Sequence, residues 1–344
     1  RFRKFSKKSE EAKVSSIVDT TSLNHIPPYN SNDSIFYLQS SKNQRRIEME
    51  FRAALNSQIP RVLFMFLGDY PYYVAGLLQA SAIFVHEGEL TNAADFINRV
   101  LYCYENNFDF GFDLMNGKCR LPYAFPDNRC FHLAIYKHIG FTERKGCWRT
   151  CLELSKLLFS LDPKIDPMGI AYIIDLYALR SCQFSWYLNF LKTLENHKFI
   201  ASEDEYPESL DLSLIPHLPN HVWSKVLAQW ELECNNDKSK TEDKSKRNKT
   251  KKIKQKNVDH TKSRQFLEHA IIRYPEYLVG ICTNLGIMDD IITESSIFKK
   301  GQSLLEKALD KDSYGEFIHN ESNIALQSLS TLYNDRCVSL WKVP

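Results

Sequence analysis

The chain has 344 residues, of which 43% are hydrophobic and 25% charged, with a formal net charge of +2. That balance is globular rather than disordered or fibrous, and 12 glycines are too few for a turn-rich β-sandwich or barrel. The 9 cysteines form no CxxC pair and are odd in number, which suits free thiols in a reducing compartment better than a disulfide framework. No apolar run reaches the ~18 residues of a membrane span, and 62–78 is broken by Gly68, Asp69 and Pro71. The chain starts at Arg1 without a signal-peptide pattern, and reads as a fragment of a cytosolic or nucleo-cytoplasmic protein.

Residues 1–41 form a basic and polar arm, with 36–38 as its one apolar anchoring spot. Such a stretch is either draped over the body or disordered. Periodicity then predicts a helix over 44–58, with Ile47, Phe51, Ala54 and Leu55 on one face, and a short one over 59–67. Tyr70-Pro71-Tyr72 breaks the pattern. Helices over 73–86 and 91–104 make a hairpin around Gly88, with Ser81, Ala93, Ile97 and Val100 at its close-packed positions. Residues 105–126 are an aromatic, glycine-containing insertion, too apolar to float, and are expected to pack across the groove between hairpins.

The clearest hairpin spans 127–167. Its first helix carries Phe131, Leu133, Ala134, Ile135, Ile139 and Phe141, with Asp127 or Asn128 as N-cap. Lys145-Gly146 makes the turn. The second helix, 148–161, has Cys151, Leu152, Leu154, Leu157, Leu158 and Leu161 at helical spacing, and Pro163 stops it. Helix, tight turn, helix and exit proline are the grammar of a tetratricopeptide-like repeat of ~34 residues. A third hairpin is predicted over 167–180 and 184–197, then a polar crossing loop over 199–219 and a helix over 221–234.

Composition changes sharply at 238–256, where ten Lys/Arg and two acids stand in nineteen residues. This run is +8, so the remainder sums to −6, and it reads as a disordered insertion. Helices follow over 263–273, 277–285, 295–309 and 320–333. The fold class is all-α: a tetratricopeptide-like helical-repeat solenoid with long loop insertions. Its segments are the arm 1–41, an N-terminal body 42–234, the Lys-rich insertion 235–262 and a C-terminal part 263–344.

Catalytic patterns are missing. Gly111 to Gly117-Lys118-Cys119 has a five-residue spacer, and Cys stands where a phosphate loop needs Ser or Thr. His86-Glu87 begins like a zinc-protease motif, but Leu90 occupies the second histidine's position. Cys147 with Cys151, and His217 with His221, have ligand spacing but no second pair, and read as core thiols and surface imidazoles. No catalytic residue, metal or cofactor is expected, and the chain is not read as an enzyme.

Two basic features remain. The run containing Lys246, Arg247, Lys249, Lys251 and Lys252 suits a polyanion such as RNA, but lacks interleaved aromatics to stack bases. A second cluster holds Arg120, Arg129, Lys137, Arg144, Lys145 and Arg149 with Tyr136 among them; arginine and aromatics together are what an interface hot spot prefers. The alternative reading of that cluster is salt bridges tying the insertion to the hairpin.

Several motifs resemble the transcription-factor-25-like family, which takes in the first subunit of the ribosome quality control complex. They are Tyr70-Pro71-Tyr72 with Leu77-Leu78-Gln79, Gly117-Lys118-Cys119-Arg120-Leu121, and Pro126-Asp127-Asn128-Arg129-Cys130-Phe131. Leu133 to Lys137, Arg149-Thr150, Leu161-Asp162-Pro163, Asp166-Pro167, Asp175, Ala178-Leu179-Arg180 and the terminal Leu340-Trp341-Lys342-Val343-Pro344 continue the likeness. It runs from about Gln44 to the end, interrupted by the Lys-rich insertion.

The resemblance implies a non-enzymatic adaptor on the large ribosomal subunit carrying a stalled nascent chain. Its implied partners are the RING-type ubiquitin ligase of the pathway, ubiquitin and the AAA-ATPase segregase. The implied result is proteasome-directing ubiquitin linkage and proteasomal degradation of the nascent chain. Arg120, Asn128, Arg129, Tyr136, Lys137, Arg144, Lys145 and Arg149 are the candidate contacts, because charge, aromatics and family motif coincide there. A nuclear transcriptional regulator is the competing reading, although no zinc finger, basic zipper or recognition helix is visible and no specific DNA partner is expected. A general RNA-binding scaffold is another.

Overall fold

A computed structural model describes residues 2–4, 34–39, 42–109, 111–114, 117–196, 211–245, 260–287, 290–309 and 317–342. They are overwhelmingly helical and divide into two compact units, one up to Ile174 and one from Asp175. The all-α expectation holds.

The first unit contains three successive helix pairs. They are α1 (Lys42–Asn56) with α2 (Pro60–Asp69), α3 (Val74–His86) with α4 (Leu90–Glu105), and α5 (Pro126–Arg144) with α6 (Trp148–Leu161). α2 packs on α3, and α4 on α5, so each pair leans on the next. Ser81, Ala93, Ile97 and Val100 are fully buried, and the Ser81 hydroxyl donates to the Ala93 carbonyl at 2.9 Å. Small side chains at that crossing let α3 and α4 approach closely. On α1, Phe51 and Ala54 are buried and Phe51 meets Tyr73 at 5.0 Å, but Leu55, expected on the same face, is 37% exposed.

A small sheet accompanies these helices, with β1 (Phe2–Lys4), β2 (Ser34–Leu38) and β3 (Cys119–Arg120) in that order. β1 is antiparallel to β2, and β2 parallel to β3 with Ser34 opposite Cys119. The anchoring spot of the arm is therefore a strand. Phe36 meets Phe112 edge-on at 5.0 Å, and Tyr37 stacks on Phe125 at 5.6 Å. The insertion uses its aromatics here and against α5, where Phe108 meets Phe131 at 5.8 Å.

The expected long helix over 167–180 is replaced by a 3-10 turn, Ile170–Tyr172, followed by α7 (Ile174–Arg180). Pro163, Pro167 and Gly169 at φ 63° interrupt the helical ladder. Asp166 starts the turn, its carboxylate accepting the Ile170 and Ala171 amides at 2.9 and 2.8 Å.

From Asp175 onward, the second unit comprises the rest of α7, then α8 (Phe184–Glu195), a 3-10 turn (Leu212–His217), α9 (Pro219–Ser245) and α10 (Thr261–Arg273). α11 (Pro275–Leu285), α12 (Asp290–Thr293), α13 (Ser296–Leu309) and α14 (Phe317–Trp341) complete it. Trp223 sits at its centre, stacked on Tyr277 at 6.4 Å and edge-on to Trp341 at 5.7 Å. Buried Asp175 accepts the Ser224 hydroxyl at 2.8 Å. α9 continues to Ser245, into the run expected to be disordered, since extending a formed helix costs far less than nucleating one. Residues 246–259 lie outside the described residues.

One backbone device ends α3, α5, α7 and α11. Gly88, Gly146, Cys182 and Gly286 have φ of 82°, 73°, 56° and 70°. The residue after each donates back to the helix: Glu89 to Phe84, Cys147 to Thr142, Gln183 to Ala178 and Ile287 to Cys282, at 2.9 to 3.2 Å. These are Schellman closures, in which a left-handed residue satisfies the last carbonyls. Helix starts are equally local: α2, α5, α9 and α11 begin on proline, whose missing N–H costs nothing in the first turn. The start of α5 differs from expectation, because Pro126 takes the first position and Phe125 the cap, leaving Asp127 and Asn128 inside the helix.

No helix among the described residues is long and apolar enough to cross a membrane.

Candidate functional site

The α5–α6 hairpin carries every described candidate contact except Arg120, and the structure sorts the eight into two groups. Arg120, Asn128 and Arg129 face the insertion. The Arg120 guanidinium donates to the carbonyls of Gly117 and Ser160 at 2.8 and 2.6 Å, joining the loop to the end of α6. Asn128 is fully buried; its Oδ1 accepts the Leu38 amide at 2.9 Å and its Nδ2 donates to the Pro122 carbonyl at 2.8 Å. Arg129 is exposed, yet its Nε donates to the Tyr123 carbonyl at 3.1 Å while the guanidinium lies 5.3 Å from the Tyr123 ring centre.

Tyr136, Lys137, Arg144, Lys145 and Arg149 form the second group. Tyr136 is 41% exposed, Lys137 half-buried, and Arg144, Lys145 and Arg149 exposed. Steps of four, three, four and four residues place Arg129, Leu133, Tyr136, Gly140 and Arg144 along one outer stripe of α5. At ~1.5 Å per residue the stripe is about 22 Å long. Leu133 is 36% exposed, and a side chain added at Gly140 would meet nothing within 4 Å. Lys145 caps α5, and Arg149 stands in the first turn of α6. Arg129, Lys137, Arg144, Lys145 and Arg149 make no ion pair among the described residues. A solvent-facing stripe of cations around Tyr136 and Leu133 can bind an acidic or amphipathic protein surface.

Leu133 and Gly140 were missed as members of this face because each reads, in sequence, as an ordinary helix position. The inner face of α5 is held by buried polar groups. The His132 ring accepts no solvent; its Nε2 lies 2.7 Å from the Leu121 carbonyl, and burial pushes its pKa down to about 4. Asp162 Oδ2 accepts the Tyr123 amide at 2.9 Å, fixing the insertion a second time.

The metal-spaced pairs do not converge. Cys147 is exposed, whereas Cys151 is buried, donates to the Ile139 carbonyl at 3.8 Å and has its pKa raised to about 11 by burial. His221 Nδ1 meets the Tyr187 hydroxyl at 2.8 Å, while His217 offers its carbonyl to Tyr274. No group of three or more His, Cys, Asp or Glu able to hold a metal occurs among the described residues. Lys246, Arg247, Lys249, Lys251 and Lys252 lie outside those residues.

Fold and site define an all-α protein of packed helix pairs with an exposed cationic and aromatic hairpin face. The family model described as "Transcriptional repressor TCF25" matches residues 36–344, and the chain belongs to that family. Among similar proteins, the human "Ribosome quality control complex subunit TCF25" is 28% identical over 311 residues, covering 90% of this chain and 40% of that protein. "Ribosome quality control complex subunit 1" of Schizosaccharomyces pombe is 32% identical over 198 residues, 58% of this chain and 28% of that protein. A "Probable transcription factor claV" of Ampulloclitocybe clavipes is 29% identical over 314 residues, 91% and 36% respectively. The chain thus spans two fifths or less of each relative's length. No solved structure matches it significantly.

Proposed function

We propose that the chain is a non-enzymatic adaptor of ribosome-associated quality control. It would bind the large ribosomal subunit with a stalled nascent chain, beside the RING-type ubiquitin ligase, and favour proteasome-directing linkage on the nascent polypeptide. The AAA-ATPase segregase and the proteasome would then act on the product, in the cytoplasm at the ribosome. The observation that carries this reading is the outer stripe of α5 with Lys145 and Arg149: cations without ion pairs among the described residues, arranged around Tyr136 and Leu133. The names of the quality-control relatives support it. The mechanism is positional, since a rigid helical face can hold ubiquitin and the ligase so that one ubiquitin lysine meets the loaded thioester. Asn128 and Arg120 serve this face indirectly, by fixing the insertion and β2 against α5. The Lys-rich run with Lys246, Arg247, Lys249, Lys251 and Lys252 would neutralise ribosomal RNA phosphates.

The test is reconstituted ubiquitination of stalled chains on large subunits, read by linkage type, with the full-length protein and its Arg144→Glu, Arg149→Glu double variant. The reading expects a shift toward the proteasome-directing linkage that the variant loses while remaining folded. No subunit binding by the wild type would shift weight to a nuclear transcriptional regulator, the reading that the family description and the Ampulloclitocybe relative's name favour. A specific footprint on DNA would establish that alternative.

A further inference from the structure

The second unit contains a cavity of about 340 Å³ beside α9, α10 and the end of α14. Its walls are apolar: Val226, Leu227 and Trp230 from α9, Leu267 from α10 and Trp341 from α14. The volume far exceeds a packing void and lies at the lower end of ligand sites, which run from about 300 to 1,000 Å³. One bulky side chain with its flanking backbone fills such a space.

The walls are held in place before any ligand arrives. Trp230 stacks on His260 at 6.0 Å with 12° between ring planes. His260 Nδ1 lies 3.4 Å from the Glu233 carboxylate, which also accepts the Ser263 hydroxyl at 2.6 Å and the Gln229 amide at 2.9 Å. These bonds to Glu233 hold its pKa below the usual carboxylate value, although burial opposes them. Trp341 Nε1 donates to the Tyr333 hydroxyl at 3.3 Å. The Glu233 carboxylate and the Trp341 indole N–H are thus engaged within the wall, His260 Nδ1 is buried without a hydrogen bond among the described residues, and most of the lining is apolar.

The rim is different. Arg264 lines the opening, is exposed, and makes no ion pair among the described residues; Lys262 is exposed two residues before it. Arg264 and Lys262 together make the rim cationic. The mainly apolar interior suits a hydrocarbon or aromatic side chain better than a nucleobase, whose edge carries several groups that need hydrogen-bond partners. An apolar anchor flanked by carboxylates meets both requirements. We propose that this cavity is the docking site for an acidic peptide segment of a partner protein, which inserts one large aromatic or aliphatic side chain between Trp230, Leu267 and Trp341 and sets a carboxylate on Arg264. The inference concerns the second unit and stands independently of the quality-control reading.

The experiment is fluorescence anisotropy on the full chain with a fluorescein-labelled peptide, DEDFEDE. Controls are its F-to-A form, a KKKFKKK form and a labelled decauridine. Expected is saturable binding of the acidic phenylalanine peptide, weakened about tenfold or more in the alanine form and absent in the lysine form. Arg264→Glu, at an exposed position, should weaken it about fivefold or more. Leu267→Trp, which fills the cavity, should abolish it; the circular dichroism of both variants is to match wild type. Equal binding of the phenylalanine and alanine peptides, or binding unchanged in Arg264→Glu, would overturn the proposal. So would decauridine binding that Leu267→Trp removes while the peptide shows none.

Discussion

Asn128 Oδ1 and the backbone N–H of Leu38 are 2.9 Å apart, a single bond that fastens β2 to α5 across ninety residues of sequence. The same amide holds the Pro122 carbonyl with its Nδ2, so one buried side chain locks both the arm and the insertion. Asn128→Ala strands a donor and an acceptor. At about 1–3 kcal/mol for each unsatisfied group, partly relieved by water, the expected loss is about 2–4 kcal/mol. Urea unfolding measures it. Hydrogen exchange at the Leu38 amide should accelerate by more than exchange in α3, and unchanged protection at Leu38 would refute the clamp.

His132 makes the first unit sensitive to acid. Its Nε2–H donates to the Leu121 carbonyl, the tautomer that this acceptor requires, and Nδ1 is buried without a hydrogen-bond partner. Burial lowers its pKa from 6.5 to about 4, and the bond to Leu121 only partly opposes this. Above pH 6.5 the ring is neutral in folded and unfolded chains alike. Below it the unfolded chain takes up a proton that the folded chain refuses until about pH 4, so stability falls across that window. At ~1.36 kcal/mol per unit the loss approaches about 3 kcal/mol. Thermal melts from pH 7.5 to 4 should show this slope, and His132→Gln, which keeps an N–H for Leu121, should flatten it. Identical slopes would assign the acid sensitivity elsewhere.

What the sequence makes visible is what depends on local pattern. Helical periodicity and the Gly88 and Gly146 turns locate α3 to α6 within a few residues, and the close-packed positions Ser81, Ala93, Ile97 and Val100 are buried together. What depends on distant partners stays hidden. Asn128 looks like an N-cap because it follows Pro126, and only the position of Leu38 shows why it is buried inside the helix. Arg120 and Arg129 look like free surface cations, but nearby carbonyls take up part of their hydrogen-bonding capacity. The outer stripe of α5 was partly legible, since charge and aromatics mark Arg129, Tyr136 and Arg144. Leu133 and Gly140 carry no sign of exposure in their residue type. The cavity beside α9 and α10 has no local signature at all, because Trp230, Leu267 and Trp341 stand far apart in the chain.

The Schellman closure after α7 uses Cys182, at φ 56°, where α3, α5 and α11 use glycine. A side chain in the left-handed region costs roughly 1–2 kcal/mol, so Cys182→Gly is expected to stabilise the second unit by up to about 1 kcal/mol after the entropy cost of glycine. Cys182 is exposed, and no core packing is lost. Gly146→Ala is the converse and should destabilise the first unit by about 1 kcal/mol, though nothing crowds the added carbon. Melts of the two variants moving in the same direction would show that the φ values do not govern these turns.

Gly301 and Gly140 separate steric need from helix propensity. Both lie within helices, α13 and α5, where alanine is intrinsically better by about 0.5–1 kcal/mol. A carbon added at Gly301 would stand 2.6 Å from the Pro275 carbonyl oxygen and 2.8 Å from its carbon. That neighbour is backbone at the first turn of α11 and cannot rotate away, so the two helices must part. Gly301→Ala should therefore destabilise the second unit by about 1–3 kcal/mol despite the propensity gain. At Gly140 nothing lies within 4 Å, so Gly140→Ala should stabilise the first unit by the full propensity difference. Because Gly140 lies between Tyr136 and Arg144 on the outer stripe, Gly140→Glu tests the face rather than the fold. It should leave the melt within about 0.5 kcal/mol of Gly140→Ala, yet weaken an acidic partner held by the flanking cations. A charge reversal there without effect on binding would mean that the partner does not use α5.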